Sequence, residues 1–122
     1  MKPSLLRFFA VICAVAAFAP GPLHAGSLNE DAALNLLLKT LKHDHAYAGR
    51  ISLDCVSFLT EEKTKSYFEF VLRENHTKDC GGDPDVSPVV DRYRVYRSSH
   101  KIERLDAVDD KWQPYASAQT QR

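Results

Sequence analysis

Apolar positions along this chain change their spacing twice. From Leu5 they run almost unbroken through Phe8, Phe9, Val11, Ile12, Val15 and Phe18, until Pro20, Gly21 and Pro22 interrupt them ahead of Leu23-His24-Ala25. From Ala33 they recur at steps of three and four, through Leu34, Leu37, Leu38 and Leu41. Such steps draw one stripe along an amphipathic helix, predicted over residues 28–43. Ser27-Leu28-Asn29-Glu30 reads as a capping box at its start, and Asp31 adds negative charge where the helix dipole favours it. Lys39, Lys42, His43 and His45 gather at its end, with Gly49 as a stop.

Beyond Gly49 the spacing falls to two. Ile51, Leu53, Cys55 and Leu59 alternate with Ser52 and Asp54, with Val56 and Phe58 adding apolar bulk on the opposite face, which predicts a strand, and the polar run 60–66 predicts a turn. Phe68, Phe70 and Leu72 then take one face of a second strand, and Tyr67, Glu69, Val71 and Arg73 the other. Residues 75–88, dense in Gly, Asp and Pro, form a loop. A third strand is expected over residues 89–97, a turn over 98–100 and a fourth strand over 101–106. Trp112, Pro114 and Tyr115 are expected to pack at the end of the domain. The leucine stripe must be buried, and the apolar face of the meander is the large partner at hand. The predicted fold is therefore α+β: one N-terminal amphipathic helix on a four-stranded antiparallel meander. Residues 26–115 are expected to form a single domain and 116–122 a disordered tail.

The short basic start, apolar run and small residue at Ala25 are the grammar of a secretory signal covering residues 1–25. The uninterrupted apolar stretch is shorter than the roughly 20 residues of a spanning helix, so no stable membrane anchor is expected. Ile12 before Cys13 is unlike a lipoprotein attachment site. The 122 residues carry 16 basic and 16 acidic side chains. Cleavage would remove Lys2 and Arg7, leaving 122 less 25, or 97, residues with 14 basic against 16 acidic groups. A mildly acidic exported chain with no basic run is not expected to bind nucleic acid. The localisation expected is periplasmic or secreted. Two cysteines, Cys55 and Cys80, then reach an oxidising compartment, and one structural disulfide is the economical reading.

The closing segment Tyr93-Arg94-Val95-Tyr96-Arg97-Ser98-Ser99-His100-Lys101-Ile102, following a helix, resembles the strand, turn and strand of small exported PepSY-type modules. The resemblance covers the last third of the mature chain. It implies a binding or inhibitory module directed at peptidases. The chain departs from those modules in its Ser98-Ser99-His100 turn, which lacks glycine, and in Cys55 and Cys80.

Four sets of residues carry candidate chemistry. Arg92, Arg94 and Tyr96 alternate with Tyr93 and Val95, so two guanidinium groups and a phenol share one strand face, with Arg73 on the neighbouring strand. That face could bind carboxylates or anionic glycans, or be neutralised by Glu69, Glu74 and Glu103. Asp83 and Asp85, with Asp79, surround Gly81-Gly82; they lack the spacing of a calcium loop and read as turn formers on a tethered contact loop. His43, His45 and His76 contain no helical metal pair, and no metal or cofactor is predicted. Asp54 and Glu69 are a carboxylate pair that could approach across the first hairpin. No nucleophile elbow, zinc motif or phosphate loop is present in the sequence. The function expected is a small non-enzymatic binding module, an inhibitor of an envelope or secreted hydrolase, with a protein or envelope component as partner. A small periplasmic hydrolase or metal-dependent enzyme using His43, His45, His76 and the loop aspartates is the alternative. A third reading has Tyr67, Tyr96 and Trp112 sealing an oligomer.

Overall fold

A computed structural model describes residues 19–21 and 26–116. Apart from residues 19–21, the expected signal and its cleavage after Ala25 fall outside these residues, as does the tail from residue 117 onward. The chain forms helix α1 (Glu30–His43), a short 3₁₀ turn (Leu53–Cys55), and strands β1 (Val56–Lys63), β2 (Tyr67–Glu74), β3 (Val89–Tyr96), β4 (Ile102–Asp106) and β5 (Lys111–Pro114). The strands form one antiparallel sheet in the order β1-β2-β3-β4-β5. The fold is α+β with one disulfide, as expected, but with five strands instead of four. The additional strand is Lys111–Pro114, whose Trp112 lies opposite Leu105 of β4.

The helix begins two residues later than its capping box predicts. Asn29, not Ser27, is the N-cap, and its side chain accepts the Ala32 amide at 2.8 Å. Glu30 is therefore free to reach across to β1, where it accepts from Thr60 at 2.5 Å and pairs with Lys63. Leu28 meanwhile is tied to the turn after β3: its amide donates to the Arg97 carbonyl at 2.8 Å. Ala33, Leu37 and Leu41, one position per turn, are fully buried against Phe70, Leu72, Tyr93 and Val95. The helix ends at His43, well before Gly49; Asp44 caps it, and the chain turns through His45 and Gly49, both at positive φ.

The first hairpin also differs from the expectation. Residues 51–55 are not a strand; the chain enters the sheet at Val56 after the 3₁₀ turn, and the polar residues Thr60 to Lys63 continue the strand. A bulge between Thr60 and Glu62 interrupts the ladder. Thr64 closes the shortened turn by accepting from the Ser66 and Tyr67 amides. Strands β3 and β4 fall where expected, trimmed by one residue.

The core contains one polar cluster. The Tyr47 hydroxyl donates to Asp91 at 2.6 Å and lies 2.7 Å from the Tyr93 hydroxyl. Both phenols are almost completely enclosed. Burial, followed by the neighbouring Tyr93 and Asp91, pushes the Tyr47 phenol far above its ordinary range. The Tyr115 ring meets Tyr93 edge-on at 5.8 Å.

Candidate binding surface

Strand alternation divides β2 and β3 as predicted, whereas in β1 Val56 and Phe58 pack with the core and Leu59, which the spacing groups with Ile51, Leu53 and Cys55, is exposed on the other face. Phe68, Phe70 and Leu72 of β2, with Tyr93 and Val95 of β3, lie buried in the core under α1. Tyr67, Glu69, Val71 and Arg73, with Arg92, Arg94 and Tyr96, occupy the opposite, open face. Register places Glu103 beside Arg94 and Trp112 beside Leu105 on that same face.

The open face is organised around Arg94. Its guanidinium lies 4.4 Å from the centre of the Tyr67 ring and 4.0 Å from that of Trp112, while Nε donates to Glu69 at 3.0 Å. A cation between two aromatic faces interacts favourably with both ring quadrupoles and covers their apolar surface. Tyr96 packs on Tyr67 with ring centres 5.6 Å apart and donates to Glu103 at 3.0 Å. Lys101 donates to the other Glu103 oxygen at 2.9 Å. The bond from Lys101 outweighs burial and holds the Glu103 carboxyl below its ordinary range. Glu69 and Glu103 are each only 9% exposed, although both lie on the face away from the helix. Covering side chains make this a second packed layer.

The arginines singled out from sequence are therefore engaged within the protein. Arg92 makes a two-pronged contact with Glu61, at 2.7 and 3.3 Å, which lowers the Glu61 carboxyl and raises the guanidinium. Of the expected neutralising groups Glu69 takes Arg94, while Glu61, which the sequence places in a turn, takes Arg92. Arg73 shares the face but donates to the Ser87 carbonyl at 2.9 Å, fastening the loop beyond. What the face offers outward is apolar and aromatic surface: the Tyr67–Arg94–Trp112 stack toward β5, and Leu59 and Val89, 51% and 40% exposed, toward β1 and the loop. Tyr67, Tyr96 and Trp112, expected as exposed aromatics, are half-buried.

The tethered loop is held by the Cys55–Cys80 disulfide, with α-carbons 5.6 Å apart. Asp83 and Asp85 are exposed there, and Asp83 accepts the Asp85 amide at 3.0 Å, a side-chain turn. His76 is turned inward: Nε2 meets Glu74 at 2.5 Å and Nδ1 meets the Asp83 carbonyl at 2.6 Å. Both ring nitrogens are occupied, so in this arrangement His76 has no lone pair to offer a metal or a substrate proton. His43 contacts Asp44 at 2.9 Å and His45 follows at a turn. Among the described residues no three metal-ligating side chains converge. Asp54 and Glu69 do not meet either, since Asp54 precedes β1 and Glu69 lies opposite Glu62. No described helix is long and apolar enough to cross a membrane. Comparison with known proteins finds no matching family model, no similar curated protein and no similar solved structure.

Proposed function

We propose that this chain is an exported, disulfide-bonded, non-enzymatic binding module whose open sheet face receives a partner protein of the cell envelope. The observation that carries this reading is the immobilised Tyr67–Arg94–Trp112 stack. Trp, Tyr and Arg dominate the energetics of protein interfaces, and side chains already locked in place lose little entropy on binding. Leu59 and Val89 extend the same face with apolar surface. Recognition then rests on this shaped surface, not on free guanidinium groups reaching for an anion, because Arg92 and Arg94 are already paired. Inhibition of an envelope hydrolase is the role that such a rigid, small module suits.

The test is affinity capture from envelope extract with the oxidised protein beside Leu59→Glu/Val89→Glu, followed by calorimetry with the purified captured protein. A defined 1:1 complex with the wild type, weakened at least about tenfold in a variant of unchanged melting temperature, is the expected result. Equal affinity for both overturns the assignment of this face.

A further inference from the structure

Residues 81–89 are all exposed, so this stretch of the loop has no buried apolar side chain to hold it in place. From Gly82 to Val86, one hydrogen bond among those described ties it to the rest of the molecule, the one from His76 Nδ1 to the Asp83 carbonyl, while Gly81 is held by the Thr77 carbonyl and Ser87 by Arg73 and Glu74. On the other side of the ring, Nε2 meets Glu74 at the end of β2. A carbonyl oxygen only accepts, and so does an ionised carboxylate; satisfying both requires a proton on each ring nitrogen. The imidazolium is therefore the form that fits this site, and neutral imidazole must give up one of the two bonds. The ring is 12% exposed and lies under Gly82, where φ is +88° and an added Cβ would come within 2.8 Å of it.

We propose that His76 is a pH-operated latch that fastens the disulfide loop to the end of the sheet while protonated and releases it on losing a proton. The groups around the ring are the Glu74 carboxylate from β2, the backbone carbonyl and carboxylate of Asp83 from the loop, Arg50 from the turn after α1, and the Cys55–Cys80 bridge; Arg50, the bridge and Gly82 line one cavity of about 360 Å³ with His76. The bond to Glu74, then that to the Asp83 carbonyl, raises the imidazole pKa above its ordinary value. A raised folded-state pKa means that the latch contributes fully below the unfolded value of about 6.5 and is lost as pH rises through the folded value. The latch stands independently of whether the open face binds a partner.

Proton NMR titration of the oxidised protein, with hydrogen exchange across residues 81–87 corrected for intrinsic rates, reads both halves of the proposal. The expected midpoint for His76 lies above about 6.5, and loop protection falls several-fold across it. Glu74→Gln is expected to lower the midpoint, and His76→Gln to leave a loop that is open at every pH. Because the wild-type titration needs no variant, a folding defect in either mutant does not obscure the outcome. A midpoint at or below about 6.5, or protection that ignores the titration, overturns the latch.

Discussion

The guanidinium of Arg94 on β3 lies 4.0 Å from the centre of the Trp112 ring on β5. These strands are not adjacent; β4 runs between them. The contact spans it on the open face, and with it a four-residue strand is anchored to the middle of the sheet. Cation–π stacking at a partly covered site is worth on the order of 1 kcal/mol, and loss of the indole surface adds to it.

Trp112→Ala is accordingly expected to destabilise the fold by about 2–3 kcal/mol and to loosen β5 first. Urea denaturation measures the former and amide exchange at Gln113 the latter. Because Trp112 is the single tryptophan, Arg94→Met offers a direct optical check through a changed fluorescence emission. Unaltered stability of Trp112→Ala would show that the stack is incidental.

The buried phenol pair makes a sharper stability prediction. Tyr47→Phe removes the donor to Asp91 and the partner of Tyr93, stranding polar groups in the core. A loss of about 1–3 kcal/mol is expected in denaturant melts. The double variant Tyr47→Phe/Asp91→Asn should cost less than the sum of the two single changes, because they share one hydrogen bond.

All five tyrosines, Tyr47, Tyr67, Tyr93, Tyr96 and Tyr115, have phenols raised above the ordinary value, in each case chiefly by burial; Tyr115 is pushed up to about 12. The unfolded chain ionises first as pH climbs past about 10, so it holds fewer protons than the folded protein. Stability must therefore fall with rising pH above that point. Ultraviolet titration should show little phenolate at pH 10 in the folded protein and a normal titration in denaturant.

At the acid end the signs reverse. Bonding to Lys63, Arg92 and Lys101 lowers the carboxyls of Glu30, Glu61 and Glu103, respectively, and backbone amides lower that of Asp106. Their contributions are present above the unfolded pKa, about 4.3 for Glu and about 3.9 for Asp, and disappear as pH falls through the lowered folded values. Glu103→Gln should flatten the acid limb of the stability profile, measured by thermal melts between pH 6 and pH 2.

Reducing the Cys55–Cys80 bridge opens a loop with a sequence separation of 25. The chain-entropy model places the cost at about 3.5 kcal/mol. Melting with and without reductant checks it, and a negligible shift would mean that the loop is equally restricted in the reduced unfolded chain.

Much of the architecture was legible because it depends on local periodicity. Leucines at helical spacing in α1 and alternation in β2 and β3 each specify a face without reference to distant residues. The disulfide was legible for a simpler reason, that two cysteines remain after the expected signal. β5 was not: Lys111-Trp112-Gln113-Pro114 has one aromatic residue and a proline, and becomes a strand through pairing with β4 and the Arg94 stack. Thr60 to Lys63 read as a turn for the same reason, since a strand at the sheet edge has polar residues wherever solvent reaches it.

Sequence by itself thus determined the helix, the central strands β2 and β3 with their two faces, and the residues able to form a charged surface. Tertiary structure alone decided what those charges do. Glu61 meets Arg92 across 31 positions of chain, Trp112 meets Arg94 past an intervening strand, and His76 is closed in by a loop that returns after seven residues. Periodicity reports which way a side chain points from its own backbone; ion pairing, stacking and proton affinity depend on what another segment brings within a few ångströms, and that is set by how the strands register and where the loops close.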